Sequence, residues 1–286
     1  MRALAISLAV FLTVLAAAAL HAGWNAMLKL RLDPLMAMVL IHAAGSVIAL
    51  PALFFTGLPP ASTLIWLIAS TILHMGYYFA LAGAYRLADM GQVYPVARGS
   101  APLLTGLFSV ILLGEPLTQL GAAGIGMLGL GIFVMSLRSA KDATHMDRRA
   151  LLFAGLTAVT ICGYTLADGS GARASGNPLA YSAALFVMDG MALTLFVLWL
   201  RGGEAMKPIL GFWPQGLAGG AMSCGSYTIA IWAMTVAPIP LVAAVRETSV
   251  LFGAVIAVVF LKEPLRLNRI LAAVLIVIGL TLIRLQ

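Results

Sequence analysis

Charge is scarce in this chain: 9% of its 286 residues are Asp, Glu, Lys or Arg, while 62% are hydrophobic. A soluble domain of this length needs far more polar surface, so a water-soluble fold is excluded. Cysteine is limited to Cys162 and Cys224, both inside apolar runs, which supply neither a metal-ligand spacing nor a disulfide framework. No ligand spacing links His21, His42 and His74, no nucleotide-binding motif is present, and no cofactor is expected. The formal charge of +7 does not signal nucleic acid, because the 17 Lys and Arg stand singly in short connections, without a basic stripe or interleaved aromatics.

What the chain has instead is long apolar runs. A helix that crosses a bilayer needs about 20 mainly apolar residues. Ten such segments are predicted, at 4–26, 35–56, 62–85, 92–113, 117–137, 150–168, 178–200, 209–233, 238–261 and 268–285. The first resembles a signal peptide, with Arg2, an apolar stretch and small residues at Ala17 to Ala19. Its counterpart near Gly155 is internal, so it is read as a spanning helix that is kept.

The runs repeat. Arg98 and Glu115-Pro116 recur as Arg246 and Glu263-Pro264, each pair 17 residues apart and the pairs shifted by 148. The most polar connection, 138–149, falls between the fifth and sixth segments. The predicted organisation is therefore an all-α membrane protein of two five-helix repeats, 1–137 and 150–286, joined by the basic loop 138–149. An odd number of spans per repeat turns the second copy upside down, which predicts inverted symmetry. Gly121, Gly124, Gly126, Gly129 and Gly131 make the fifth span thin, and Gly216 and Gly220 do so in the eighth, as close helix packing requires.

Ionisable groups within spans are costly in lipid, so each is a candidate for function. Arg98, Asp189, Arg246 and Glu247 are such groups. Arg98 and Arg246 occupy equivalent positions, and two guanidiniums facing one cavity would clamp an anion with their planar donor forks. The alternative is scaffolding, with Arg98 pairing with Glu247 and Arg246 with Asp189. Asp189, in mid-span, is the candidate for coupling to protons. His74, Trp24 and Tyr94 complete the candidate substrate-binding set. His21, His42, Tyr77, Tyr78, Tyr164, Tyr227 and Trp232 are further residues suited to lining a cavity for an organic molecule. Glu115 and Glu263, beside Pro, read as capping the helix that follows each of them.

The fourth and ninth segments end in L-G-E-P (113–116) and L-K-E-P (261–264), Pro102 precedes Glu115 by thirteen residues, and the first segment ends in W-N-A-M-L-K from Trp24 to Lys29. With ten helices in two repeats, the chain resembles the EamA family of the drug/metabolite transporter superfamily over nearly its whole length. It departs in having Val250 where the second repeat would carry the proline. The resemblance implies proton- or exchange-driven movement of metabolites, often export of amino acids or related compounds, through a cavity between the repeats.

The function expected is secondary transport of a small polar organic metabolite, anionic in the part recognised, by alternating access in a bacterial inner membrane. A membrane-embedded enzyme acting on a lipid-linked phosphate is the alternative. Expected partners are the lipid bilayer, the small-molecule substrate, and protons or a counter-substrate; a homodimer is compatible with the sequence. Orientation can be read from basic residues, which stay on the cytoplasmic side. The odd-numbered connections hold 12 Lys and Arg and the opposite side three, which places both termini outside the cytoplasm. Arg2 with its signal-like helix, and the usual family arrangement, favour the reverse. A reporter active only in the periplasm, fused after Gln286, is expected to work; activity of a cytoplasmic reporter there would overturn the charge count.

Overall fold

A computed structural model describes residues 6–27, 32–87, 90–136, 147–259 and 267–286, with side chains except at 26, 27, 90–92, 94, 95, 136 and 257. Among the described residues there are helices and no strand. They are α1 (Leu8–Met27), α2 (Pro34–Thr56), α3 (Leu64–Leu87), α4 (Met90–Leu113), α5 (Gln119–Ser136), α6 (Arg148–Ser175), α7 (Pro178–Arg201), the single turn α8 (Lys207–Leu210), α9 (Trp213–Val236), α10 (Ile239–Glu247), α11 (Ser249–Val259) and α12 (Leu267–Leu285).

Local chemistry sets several of these boundaries. Pro34 and Pro178 open α2 and α7, where a missing N–H costs nothing, and the side chains of Asp33 and Asn177 accept from the free amides behind them. Gly176, at φ 64°, ends α6 in the left-handed region that a side chain disfavours.

Three predicted spans differ from what is found. The sixth was expected to stop at 168, yet α6 runs on to Ser175, because Gly169 and Gly171 let Ile239 and Tyr181 press against its backbone. Packing there outweighs low helix propensity. The eighth begins later, at Trp213, after the separate turn α8, with Pro214 in its first turn. The ninth, predicted as one rod, is interrupted at Thr248, whose Oγ1 donates to the Val245 carbonyl at 2.7 Å and competes with the helical bonding that would carry α10 into α11. The expected cap at Glu263 lies outside the described residues.

Among the described residues eight helical segments are long and apolar enough to cross a membrane, and the apolar part of α5, Gln119–Met135, is shorter. The helix α9 is not among the eight. It carries Gln215, Ser223, Ser226 and Thr228, and Ser226 Oγ donates to the Ala17 carbonyl inside the bundle. Large apolar side chains cover the outside, Phe54, Phe55 and Trp199 among the most exposed. In water such a surface would aggregate; in lipid it is the matching face.

The helices pack across the halves of the chain: α3 and α4 lie on α6, α1 lies on α9, α10 and α11, α2 on α7 and α9, and α5 on α12. Glycine makes the last contact possible. A Cβ at Gly124 would stand 2.8 Å from the Gly279 carbonyl oxygen, and one at Gly279 would stand 2.7 Å from that of Gly124, whereas nothing lies within 4 Å of a Cβ at Gly126. Gly124→Ala or Gly279→Ala is expected to destabilise the protein by about 1–3 kcal/mol. Gly126→Ala should leave the melting temperature in detergent unchanged or raised, and equal losses at Gly124 and Gly126 would refute the close-packing role.

Candidate functional site

A cavity lies inside the bundle, walled by α1, α2, α3, α4, α6, α7, α9 and α10. Its chemistry is built from side chains that reach inward from both halves of the chain. The last turns of α1 supply His21 and Trp24, with Trp24 Nε1 donating to His21 Nδ1 at 3.2 Å. The middle of α2 and α3 supply His42, His74, Tyr77 and Tyr78, while α7 contributes Asp189 and α10 contributes Arg246 at its C-terminal end.

On one side of the cavity stand the arginines. Arg98 Nη1 donates to Glu247 Oε1 at 3.0 Å and its Nη2 reaches His21 Nε2. Arg246 Nη2 lies 3.6 Å from the same Glu247 oxygen, and its guanidinium lies 5.3 Å from the centre of the Tyr227 ring, close enough for cation–π attraction. Glu247 therefore stands behind the two arginines and does not line the cavity, and it supplies the negative charge that lets two cations sit together.

On the other side, Asp189 Oδ2 accepts from the Tyr78 hydroxyl at 2.6 Å and lies 3.0 Å from His42 Nδ1. The expected Arg246–Asp189 pair is absent among the described residues: Tyr78 and His42 occupy Asp189, and Glu247 adjoins Arg246 on its own helix. His74 stacks on Tyr164 with ring centres 4.0 Å apart, its Nδ1 held by Ser70 at the far side.

Of the predicted set, Trp24, His74, Arg98, Asp189 and Arg246 line this one cavity. The Tyr94 side chain lies outside the described residues. Sequence reading missed Asp168, which is fully buried and accepts from Tyr227 Oη at 2.5 Å and from Tyr181 Oη at 3.1 Å. It sits just ahead of Gly169-Ser170-Gly171, a polar stretch that resembles a span end; the only sequence signal was an acidic residue joined directly to the run 150–167. Phe186 and Ser223 also join the wall without a signal of their own.

On the cavity walls Asp189 Oδ1 and Arg246 Nε have no hydrogen-bond partner among the described residues although they are shielded from solvent, and behind the arginines Glu247 Oε2 has none either. Asp189 and Arg246 are 3% and 2% exposed. Groups of that kind cost free energy unless a ligand or water meets them. The cavity's volume is about 50 Å³, room for a few water-sized groups. Any larger solute enters only if the walls part.

Membrane-length helices closed around a small cavity describe a multi-pass membrane protein. The chain belongs to the EamA-like transporter family, whose profile matches it twice, over residues 5–137 and 149–285. Members of that family are membrane transporters and generally not enzymes. Among 29 solved chains that match, one described only as the crystal structure of a protein superposes with a TM-score of 0.76 at 20% identity, covering 97% of this chain and 98% of that chain. At that identity the likeness concerns the fold alone. Among curated proteins no relative matches.

The two arginines are expected to separate in mutagenesis. Arg98→Gln removes the closer partner of a buried carboxylate and should lower stability by about 3 kcal/mol. Arg246→Gln leaves the Arg98–Glu247 bond in place, so melting should change by less while ligand binding weakens. Equal destabilisation by both, measured by thermal unfolding in detergent, would assign both arginines to the scaffold.

Proposed function

We propose that this protein is a secondary transporter of the inner membrane that carries a small organic solute bearing a carboxylate, by alternating access between two inverted five-helix repeats. The repeats are 1–137 and 150–286, joined by 138–149, and each contributes five spans. In this reading α5 and α9 cross the bilayer like the eight more apolar segments, with the polar side of α9 turned to the cavity. Inverted symmetry finds support in the packing, where the largest cross-contacts have counterparts with the halves exchanged. The α3–α6 contact answers to α9–α1, and α4–α6 answers to α10 and α11 with α1, while α2–α7 and α5–α12 answer to themselves.

The observation that carries the substrate reading is the pair of unmet atoms, Arg246 Nε and Asp189 Oδ1, on walls of the same cavity. A carboxylate suits the guanidinium, and a donor or cationic group on the same solute suits Asp189. The charge balance agrees: Arg98 and Arg246 are offset by Glu247 and Asp189, which favours a solute with both signs over a bare anion. Tyr77, Tyr78, Tyr164 and Tyr227 offer ring faces and hydroxyls for the rest of it. Nothing in the cavity favours the enzyme reading, since a lipid-linked phosphate approaches from the membrane surface and this site lies between helices.

Counterflow in liposomes tests the reading. Protein preloaded with unlabelled solute should accumulate the same solute in labelled form, drawn from a panel of amino acids, their keto-acid analogues and plain amines. Compounds with both groups are expected to exchange, with Asp189→Asn losing those that carry the amine and Arg246→Gln losing those that carry the carboxylate, each by tenfold or more, on the order of 1.4 kcal/mol. Exchange of plain amines that survives in Arg246→Gln and exceeds that of the amino acids would reject the carboxylate assignment.

A further inference from the structure

Glu115 of the first Glu-Pro motif does not line the cavity, and its carboxylate is bound to the second half of the chain. It is buried, 2% exposed, at the end of the bundle where α4, α6 and α9 finish and α10 begins. Its Oε1 pairs with Arg173 Nη1, and its Oε2 accepts the Ile239 backbone N–H at 3.1 Å, in the first turn of α10. Arg173, in the last turn of α6, donates from Nε to the Met234 carbonyl at 2.7 Å and from Nη2 to the Ala237 carbonyl at 3.0 Å, at and just beyond the C-terminal end of α9. One ion pair thus ties four helix ends, with its anion at a helix N-terminus and its cation at a helix C-terminus, the favourable sense for both helix dipoles. Glu115 belongs to the first half of the chain and these partners to the second.

Between this knot and the cavity lies a packed apolar plug. Val10, Val14, Met234, Ile239 and Leu241 are all buried there, and Ile239 is itself held by Glu115. Beside this plug the buried carboxylate Asp168 is occupied by the hydroxyls of Tyr227 and Tyr181, and in our reading the cavity reaches this end of the bundle when α10 and α9 move off α1 and α6. We infer that the Glu115–Arg173 pair is a latch that holds this end shut and releases each time the cavity turns toward it. The chemistry suits a two-state device. In a dry interior, parting the ions would cost too much to happen in a transport cycle. At helix ends, beside the connections, the parted ions and the freed carbonyls of Met234 and Ala237 meet water as the end opens.

The latch rests on the alternating-access reading, and its test needs no knowledge of the solute. Ser223→Cys, in a Cys162→Ala, Cys224→Ala background, places one thiol in the cavity wall. A membrane-impermeant maleimide is applied from each face separately. With Glu115 and Arg173 intact, labelling from the face that carries the termini should be slow. Glu115→Gln keeps the bond to Ile239 but removes the charge, and it should raise that rate about tenfold while lowering labelling from the opposite face, as a shift between two states requires. Arg173→Lys, which retains the ion pair and loses the fork of carbonyl contacts, should fall between. Unchanged rates overturn the latch. So do rates that rise equally on both faces, which mean general loosening, and so does failure of both variants to fold, which makes the pair a structural staple. A shift in labelling without any solute exchange would reject the carrier reading and leave the latch standing.

Discussion

Every other feature of the interior depends on the bond between Arg98 and Glu247. A guanidinium inside a bilayer protein is tolerable only when a counter-charge is fixed beside it. Here α4 carries the cation and α10 the anion, so the two halves of the chain are joined by the requirement that neither charge be left alone. Because Glu247 also neighbours Arg246, one carboxylate answers two cations. The second is left with donor capacity to spare at Nε, and in the proposed function that surplus meets the solute. Scaffold and site are thus the same three side chains with different degrees of satisfaction.

The fold was largely legible in the sequence because lipid imposes so few solutions. Long apolar runs must be helices, since no water is available for unpaired backbone groups, and the recurrence of Arg98 with Glu115 as Arg246 with Glu263 marked the two halves. Boundaries failed where contacts unseen in sequence took over. Gly169 and Gly171 look like a terminus until Ile239 and Tyr181 are laid against them, and Thr248 looks like any helical residue until its hydroxyl turns back on Val245.

The candidate site was legible in its charges and only partly in its pairings: Arg98 with Glu247 is found, Arg246 with Asp189 is not. Arg98, Asp189 and Arg246 stood out because an ionisable residue in an apolar run is conspicuous. Which of them would meet was a matter of helix rotation, which hydropathy does not encode. Asp168 escaped for the opposite reason: its polar neighbours on the C-terminal side disguised its burial. Glu115 was seen and its partner across the chain was not, since a carboxylate beside proline usually serves the helix next in sequence, and this one binds a helix 124 residues further on.

The interruption at Thr248 has a mechanical meaning. The nine residues of α10 rise about 13 Å, less than half the hydrocarbon depth of a bilayer, so α10 alone is too short to cross one, and it ends immediately beyond Arg246 and Glu247. A continuous helix would transmit any tilt of its far end directly to those two residues. The interruption separates α11 from α10, which is held at its start through Ile239 and at its finish through Arg98. The partner rod α4 is one helix from Met90 to Leu113, so of the two arms that carry the arginines, one is continuous and one is interrupted.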